Sequence, residues 1–187
     1  MTSPCHRTRV EGRRFGLLAD THDNAVDWPA ALGRIRAALG QVDAILHCGD
    51  LCTEQALTTL AETAPLYAVR SAADIAAVPP ALVDGTRLLD IGGLKIGVVA
   101  SLTREPVGAN TDEHLRFAGL PAVRVGPALF GGPVDVCVFG GTHKPAVASA
   151  AGTMFVNPGS PTLSKTPSVA ILTVDHGTAS VEIIPVA

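Results

Sequence analysis

A chain of 187 residues that is 47% hydrophobic and 17% charged has the apolar material for a single packed domain and excludes a disordered one. Its net charge of −3 and its 4% aromatic content exclude the basic footprint and the base-stacking platforms of a nucleic-acid binder. No apolar run approaches the roughly 20 residues of a membrane span, and residues 1–14 read as a short polar tail, without the apolar stretch of a signal peptide.

The rest of the chain, 15–187, reads as one domain of alternating elements. An apolar run at 15–19 is the first strand. Residues 28–39 carry Leu32, Ile35 and Leu39 at helical spacing, and Pro29 suits a first helical turn. Residues 44–47 form a second strand that stops at Gly49-Asp50. A helix over 53–63 has Thr53 as its N-cap and Glu54 in its first turn. Residues 66–69 are a third strand. This βαβαβ order predicts parallel strands joined by crossover helices.

The second half changes character. Strands at 87–91 and 95–99 flank Gly92-Gly93 as a hairpin. Residues 112–120 read as a helix, Pro121 and Pro127 interrupt the chain after it, and 107–110 and 126–133 read as loops. A buried strand covers 134–139. Two more hairpins come after it, 146–150 with 153–156 and 168–174 with 179–186. Two packed sheets covered by helices are the expected architecture.

Chemistry gathers where three of these strands end. Asp20 and His22 stand in Asp20-Thr21-His22 after the first strand. Asp50 closes His47-Cys48-Gly49-Asp50 after the second. His143 ends Gly140-Gly141-Thr142-His143 after the 134–139 strand. Carboxylate oxygens and imidazole nitrogens in such a set suit a divalent ion such as Mn, Zn or Fe. Taken alone, Asp20-Thr21-His22 reads better as a helix-entry cap; the three runs together favour a metal site. His47 reads as a core histidine or a support for a ligand. Cys5, Cys48, Cys52 and Cys137 lack a C-x-x-C pair and read as reduced thiols of a cytoplasmic protein rather than thiolate ligands.

These motifs resemble those of the small calcineurin-type metallophosphoesterases of the bacterial phosphodiesterase branch, whose fold also makes the retromer small subunit. The resemblance spans about residues 15–186. It rests on Asp20-Thr21-His22 for the D-x-H motif, Gly49-Asp50 for G-D, Ser71-Ala72-Ala73-Asp74 where G-N-x-D is usual, Ala100-Ser101 where H-G is usual, Gly140-Gly141-Thr142-His143 for G-H-T-H, and an intact Asn157-Pro158-Gly159-Ser160. It implies an α/β fold, a four-layer α-β-β-α sandwich of two packed mixed sheets. It also implies that Asp20, His22, Asp50 and His143 hold one divalent ion. The positions that would hold a second carry Ala72, Ala100 and Gly141, none of which can ligate through a side chain.

Two functions are implied by the resemblance. One is a metal-dependent hydrolase of a phosphoester or related small-molecule bond, working with one ion. The other is an inactive protein-interaction module of the same fold. For the enzyme, Arg104 and Asp74 are the catalytic candidates, Arg104 to take over the charge of the missing ion and Asp74 to support the site or supply an alternative ligand, and Asn24, Ser101, Arg104 and Thr142 are candidates to touch substrate. Each has a plainer role open to it: Arg104 in a solvated loop, Asp74 as a cap, the others in turns. Asn157, Gly159 and Ser160 are expected to shape a loop beside the site. Substituting Ala72→Asn, Ala100→His and Gly141→His together is expected to restore a second ion.

Overall fold

In a computed structural model, residues 4–78, 80–102 and 120–187 are described with their side chains, and 104–105 and 116–117 by their backbone. Among the described residues, fifteen strands and three α-helices follow in chain order. The first half holds β1 (Cys5–Arg9), β2 (Arg14–Leu18), α1 (Trp28–Leu39), β3 (Ala44–His47), α2 (Glu54–Ala61), β4 (Leu66–Val69), β5 (Leu82–Val83), β6 (Thr86–Ile91) and β7 (Leu94–Ser101). After them come β8 (Arg104–Glu105), β9 (Arg116–Phe117), β10 (Leu120–Pro121), α3 (Ala122–Phe130), β11 (Val136–Gly140), β12 (Ala146–Ala150), β13 (Thr153–Asn157), β14 (Ser168–Asp175) and β15 (Thr178–Pro185).

The strands assemble into two six-stranded mixed sheets and a small three-stranded one of β10-β9-β8. One large sheet runs β15-β14-β2-β3-β4-β5, with β2 through β5 parallel. The other runs β1-β6-β7-β11-β13-β12, with β7, β11 and β13 parallel. The inward faces of the two sheets meet in a core that includes Phe15, Leu17, Leu46, Ile96, Val98, Val138 and Leu172. A second core packs α1 and α2 on the outer face of the first sheet through Leu32, Ile35, Leu39, Leu57 and Leu60. A third packs α3 on the outer face of the other through Val125, Phe130 and Phe155. The expected α-β-β-α layering is present.

Helix α1 has the bounds its apolar spacing predicts. Asp27 caps it by accepting from the Ala30 amide at 3.2 Å, and Gly40 closes it at φ 60°. Thr53 caps α2, as its position before Glu54 suggests.

Three expectations need correction. Residues 5–9, read as polar tail, form β1, which pairs in parallel with β6 at the sheet edge. Edge pairing is satisfied by backbone groups, so alternating Arg and Thr side chains do not forbid it. Residues 116, 117 and 120, read as part of a helix over 112–120, lie in strands; 112–115, 118 and 119 lie outside the described residues, as does the 107–110 loop. Residues 122–130 form α3 with Pro127 inside it. A proline there costs roughly 3 kcal/mol of helix stability. Burial of Ala122, Val125 and Phe130 against the sheet offsets it. Among the described residues, no helix is long and apolar enough to cross a membrane.

Candidate metal centre

The carboxyl ends of the parallel strands of both sheets converge on one edge of the sandwich, the place where open parallel sheets present ligand sites. Asp20 follows β2, Asp50 follows β3, and His143 follows β11. Past the ends of β2 and β3 the pairing continues: the Asp20 amide donates to the Gly49 carbonyl at 3.0 Å and the His22 amide to the Asp50 carbonyl at 2.8 Å. Gly140 lets β11 approach closely, since a Cβ there would stand 2.8 Å from Ala19 Cβ and 3.1 Å from Asp20 Oδ1.

Asp20, His22, Asp50 and His143 each offer one ligand atom, and these atoms all lie within 4.8 Å of one another. Asp20 is buried; the other three are partly exposed. The Nε2 atoms of His22 and His143 are 3.3 Å apart, and His22 Nε2 is 3.6 Å from Asp50 Oδ2. Two neutral imidazoles can share one proton across such a contact, whereas a cation between them satisfies both nitrogens at once. The donor set therefore fits a divalent ion that accepts both oxygen and nitrogen.

Backbone strain marks the same residues. Asp20, His22, Asp50 and His143 have φ of 54°, 39°, 59° and 56°, and Cys52 has 75°. Left-handed backbone is unfavourable for residues with a Cβ and persists where the surroundings enforce it, most often at functional sites. The enforcing contacts are visible. The Gly141 amide donates to both carboxylate oxygens of Asp20, at 2.9 and 3.0 Å, and the His143 amide to Oδ2 at 3.3 Å. Ser160 Oγ donates to the Asp20 carbonyl at 2.7 Å, and Gly159 turns the 157–160 loop at φ 79°, as the intact motif predicts.

Electrostatics follow from burial. Desolvation pushes the Asp20 pKa up, and the Asp50 charge adds to it; the Gly141 amide and His143 oppose them. A cation would relieve that penalty. His47, wholly buried behind the centre, is pushed down to about 4 by desolvation. Its Nδ1 accepts from the Gly49 amide at 3.1 Å, so its proton sits on Nε2 and points at Thr21 Oγ1, 3.3 Å away. Thr21 in turn donates to the Asp50 carbonyl at 3.1 Å. All four cysteines are free. Burial holds the Cys48 thiol well above its ordinary value and pushes Cys52 up to about 11, so both stay thiols. The sequence shows no sign of a role for Cys52, yet its Sγ lies 3.6 Å from His22 Nδ1, on the ring edge opposite the cluster.

The remaining candidates fall in different places. Asp74 lies outside the cluster: its carboxylate accepts from the amides of Ser71 at 2.7 Å, Cys52 at 2.8 Å and Asp50 at 3.0 Å. Desolvation works to raise its pKa, but the Cys52 and Ser71 amides and His47 carry it below the ordinary value. Thr142 is exposed and accepts from Asn157 Nδ2 at 3.1 Å. Asn24 is exposed in the 3-10 turn Asp23–Ala25 next to His22. Ser101 covers Gly141, where a Cβ would collide with the Ser101 hydroxyl. Arg104 has its backbone in β8, and its side chain lies outside the described residues.

That Ser101 contact adds a cost to the triple substitution. Gly141 has φ 90°, a conformation that side chains rarely adopt, and its Cα faces the Ser101 hydroxyl. Histidine at 141 would be strained at that backbone angle and would require Ser101 to shift, a cost that the triple substitution must overcome to add a second ion.

The model of the calcineurin-like phosphoesterase superfamily domain matches residues 14–177. A probable metallophosphoesterase of Methanothermobacter thermautotrophicus is 31% identical over 176 residues, covering 91% of this chain and 91% of the relative. A probable metallophosphoesterase of Methanocaldococcus jannaschii is 30% identical over 160 residues, covering 84% of this chain and 73% of the relative. Among solved structures, Vps29 of Chaetomium thermophilum superposes with a TM-score of 0.66 at 21% identity, covering 93% of this chain and 97% of its own.

Proposed function

The chain belongs to the calcineurin-like phosphoesterase superfamily, and we propose that it is a phosphoesterase that works with a single divalent ion held by Asp20, His22, Asp50 and His143. The observation that carries this reading is the convergence of four ligand atoms within 4.8 Å on four strained residues. A fold that had given up its metal has no reason to keep that strain at all four ligands.

A divalent ion bound there would polarise a phosphoryl oxygen and lower the pKa of a bound water. The chain's own residues prepare the site for it. The Leu163 carbonyl, 3.4 Å from His143 Nδ1, accepts that proton and leaves Nε2 free to ligate. Cys52 Sγ offers the corresponding contact to His22 Nδ1. An open cleft of about 410 Å3, lined by Phe139, Thr142, Lys144, Pro145, Ala146 and Asn157, shares the turn that carries His143. It is wide enough for the leaving group of a small phosphoester, and Lys144 supplies a positive charge at its wall. Ser101, Thr142 and Asn24 are exposed polar groups that would meet the substrate, and Arg104, whose side chain lies outside the described residues, is the cation to test with them.

A single ion cannot brace both the attacking and the leaving oxygen. If each lost contact costs roughly a hundredfold to a thousandfold, turnover is slow. The test is hydrolysis of an aryl phosphodiester by protein stripped with a chelator and titrated with Mn. Slow turnover that appears with Mn and disappears with chelator is the expected result. Turnover indifferent to chelator contradicts the proposal, and a bound ion without turnover favours an interaction module built on the same fold.

A further inference from the structure

We infer that Ser71 is a positioning residue that holds Asp50 so that one carboxylate oxygen faces the metal and the other is occupied by a hydroxyl proton. The inference rests on the metal-centre reading above and extends it to a residue outside the ligand set.

Ser71 follows β4, next to the strand end that carries Asp50. Its Oγ accepts two amide protons, from Asp50 and from Ala73, each at 3.2 Å. With both lone pairs engaged, its own proton has one direction left, and Asp50 Oδ1 is the acceptor there. The carboxylate is thereby turned so that Oδ2, 3.6 Å from His22 Nε2, joins the cluster. Ser71 is itself held: Asp74 Oδ2 accepts from the amides of both Ser71 and Asp50, and Oδ1 accepts from Cys52. The order of restraint runs from Asp74 to Ser71 to Asp50.

The consequence is a carboxylate with one oxygen left for a cation. A carboxylate that is to hold two ions through its two oxygens needs both of them free. Asp50 spends one on a proton that Ser71 supplies. At the positions where the related motifs carry second-site ligands, Ala72, Ala100 and Gly141 bring no ligating side chain, and Ser101 fills the space over Gly141.

Calorimetric titration of metal-free protein with Mn tests the role, using native protein, Ser71→Ala and Ser71→Thr. Removing a group that orients a metal ligand typically weakens binding by about 10–100-fold; that loss is expected for S71A. S71T keeps the hydroxyl and should bind as the native protein does. Thermal melting of the three metal-free proteins shows whether the fold is intact. Native-like affinity in S71A overturns the inference, as does equal weakening in S71A and S71T, which would assign the effect to packing at this position. Native protein that binds no Mn instead overturns the metal centre, and the positioning role with it.

Discussion

Asp20→Ala removes the rise in thermal midpoint that Mn gives the native protein. Asp20 is buried, and its carboxylate gathers the amides of Gly141 and His143 while supplying one ligand atom to the cluster. Its loss takes a negative charge from the site and releases the turn that carries His143. Both effects weaken the same ion, so affinity falls by at least about a hundredfold, the upper end of what the loss of a mere supporting group costs. An ion at 100 times its Kd stabilises the folded state by about 2.7 kcal/mol. In a domain of this size each kcal/mol moves the midpoint by about 2–4 °C, so the native protein gains roughly 5–11 °C and D20A gains almost nothing. The metal-free midpoints provide a second contrast. Burial of the Asp20 carboxylate opposes its ionised form, so the metal-free variant escapes a cost that the native protein bears. Melting curves with and without Mn measure both.

Stability of the metal-free protein falls as pH drops from 6.5 to 4, and His47 is the main cause. Its pKa is pushed down to about 4 from an ordinary value of 6.5, because the ring is buried and must charge without water. Above pH 6.5 the ring is neutral in both states and contributes nothing to the pH dependence. Between 6.5 and 4 the unfolded chain takes up a proton that the folded chain refuses, so unfolding becomes easier by up to about 3 kcal/mol. Below 4 the folded ring also charges, and this slope ends. Asp20 works in the opposite sense, since its raised pKa makes the folded state the earlier proton acceptor. Comparing the native protein with His47→Gln isolates the histidine. Urea denaturation from pH 7 to 4 should show a steep loss in the first and a shallower one in the second. Parallel curves would mean that His47 does not govern acid stability.

The sequence reveals the parts of this molecule whose physics is local. Apolar spacing sets α1, capping by Thr53 starts α2, and Gly92-Gly93 turns a hairpin; each depends on residues within a few positions of one another. The four residues of the candidate metal centre draw notice in the sequence because each comes soon after an apolar strand. The features that stay hidden depend on distant partners. The strand β1 owes its existence to the backbone of β6, and α3 survives Pro127 only through the core beneath it. Ser71 stands where the related motif has glycine and reads as a mere departure. Its function emerges only when Asp50, 21 residues earlier, is placed against it. Ser101 likewise gains meaning from Gly141 across the parallel pairing of β7 and β11.

The central claim is a centre that holds one ion, and counting metal per chain tests it most directly. Protein purified without chelator, analysed by elemental mass spectrometry after dialysis against Mn or Zn, should carry one ion per chain, and His143→Ala should carry none. Two ions per native chain, or none, or one that His143→Ala retains, would contradict it.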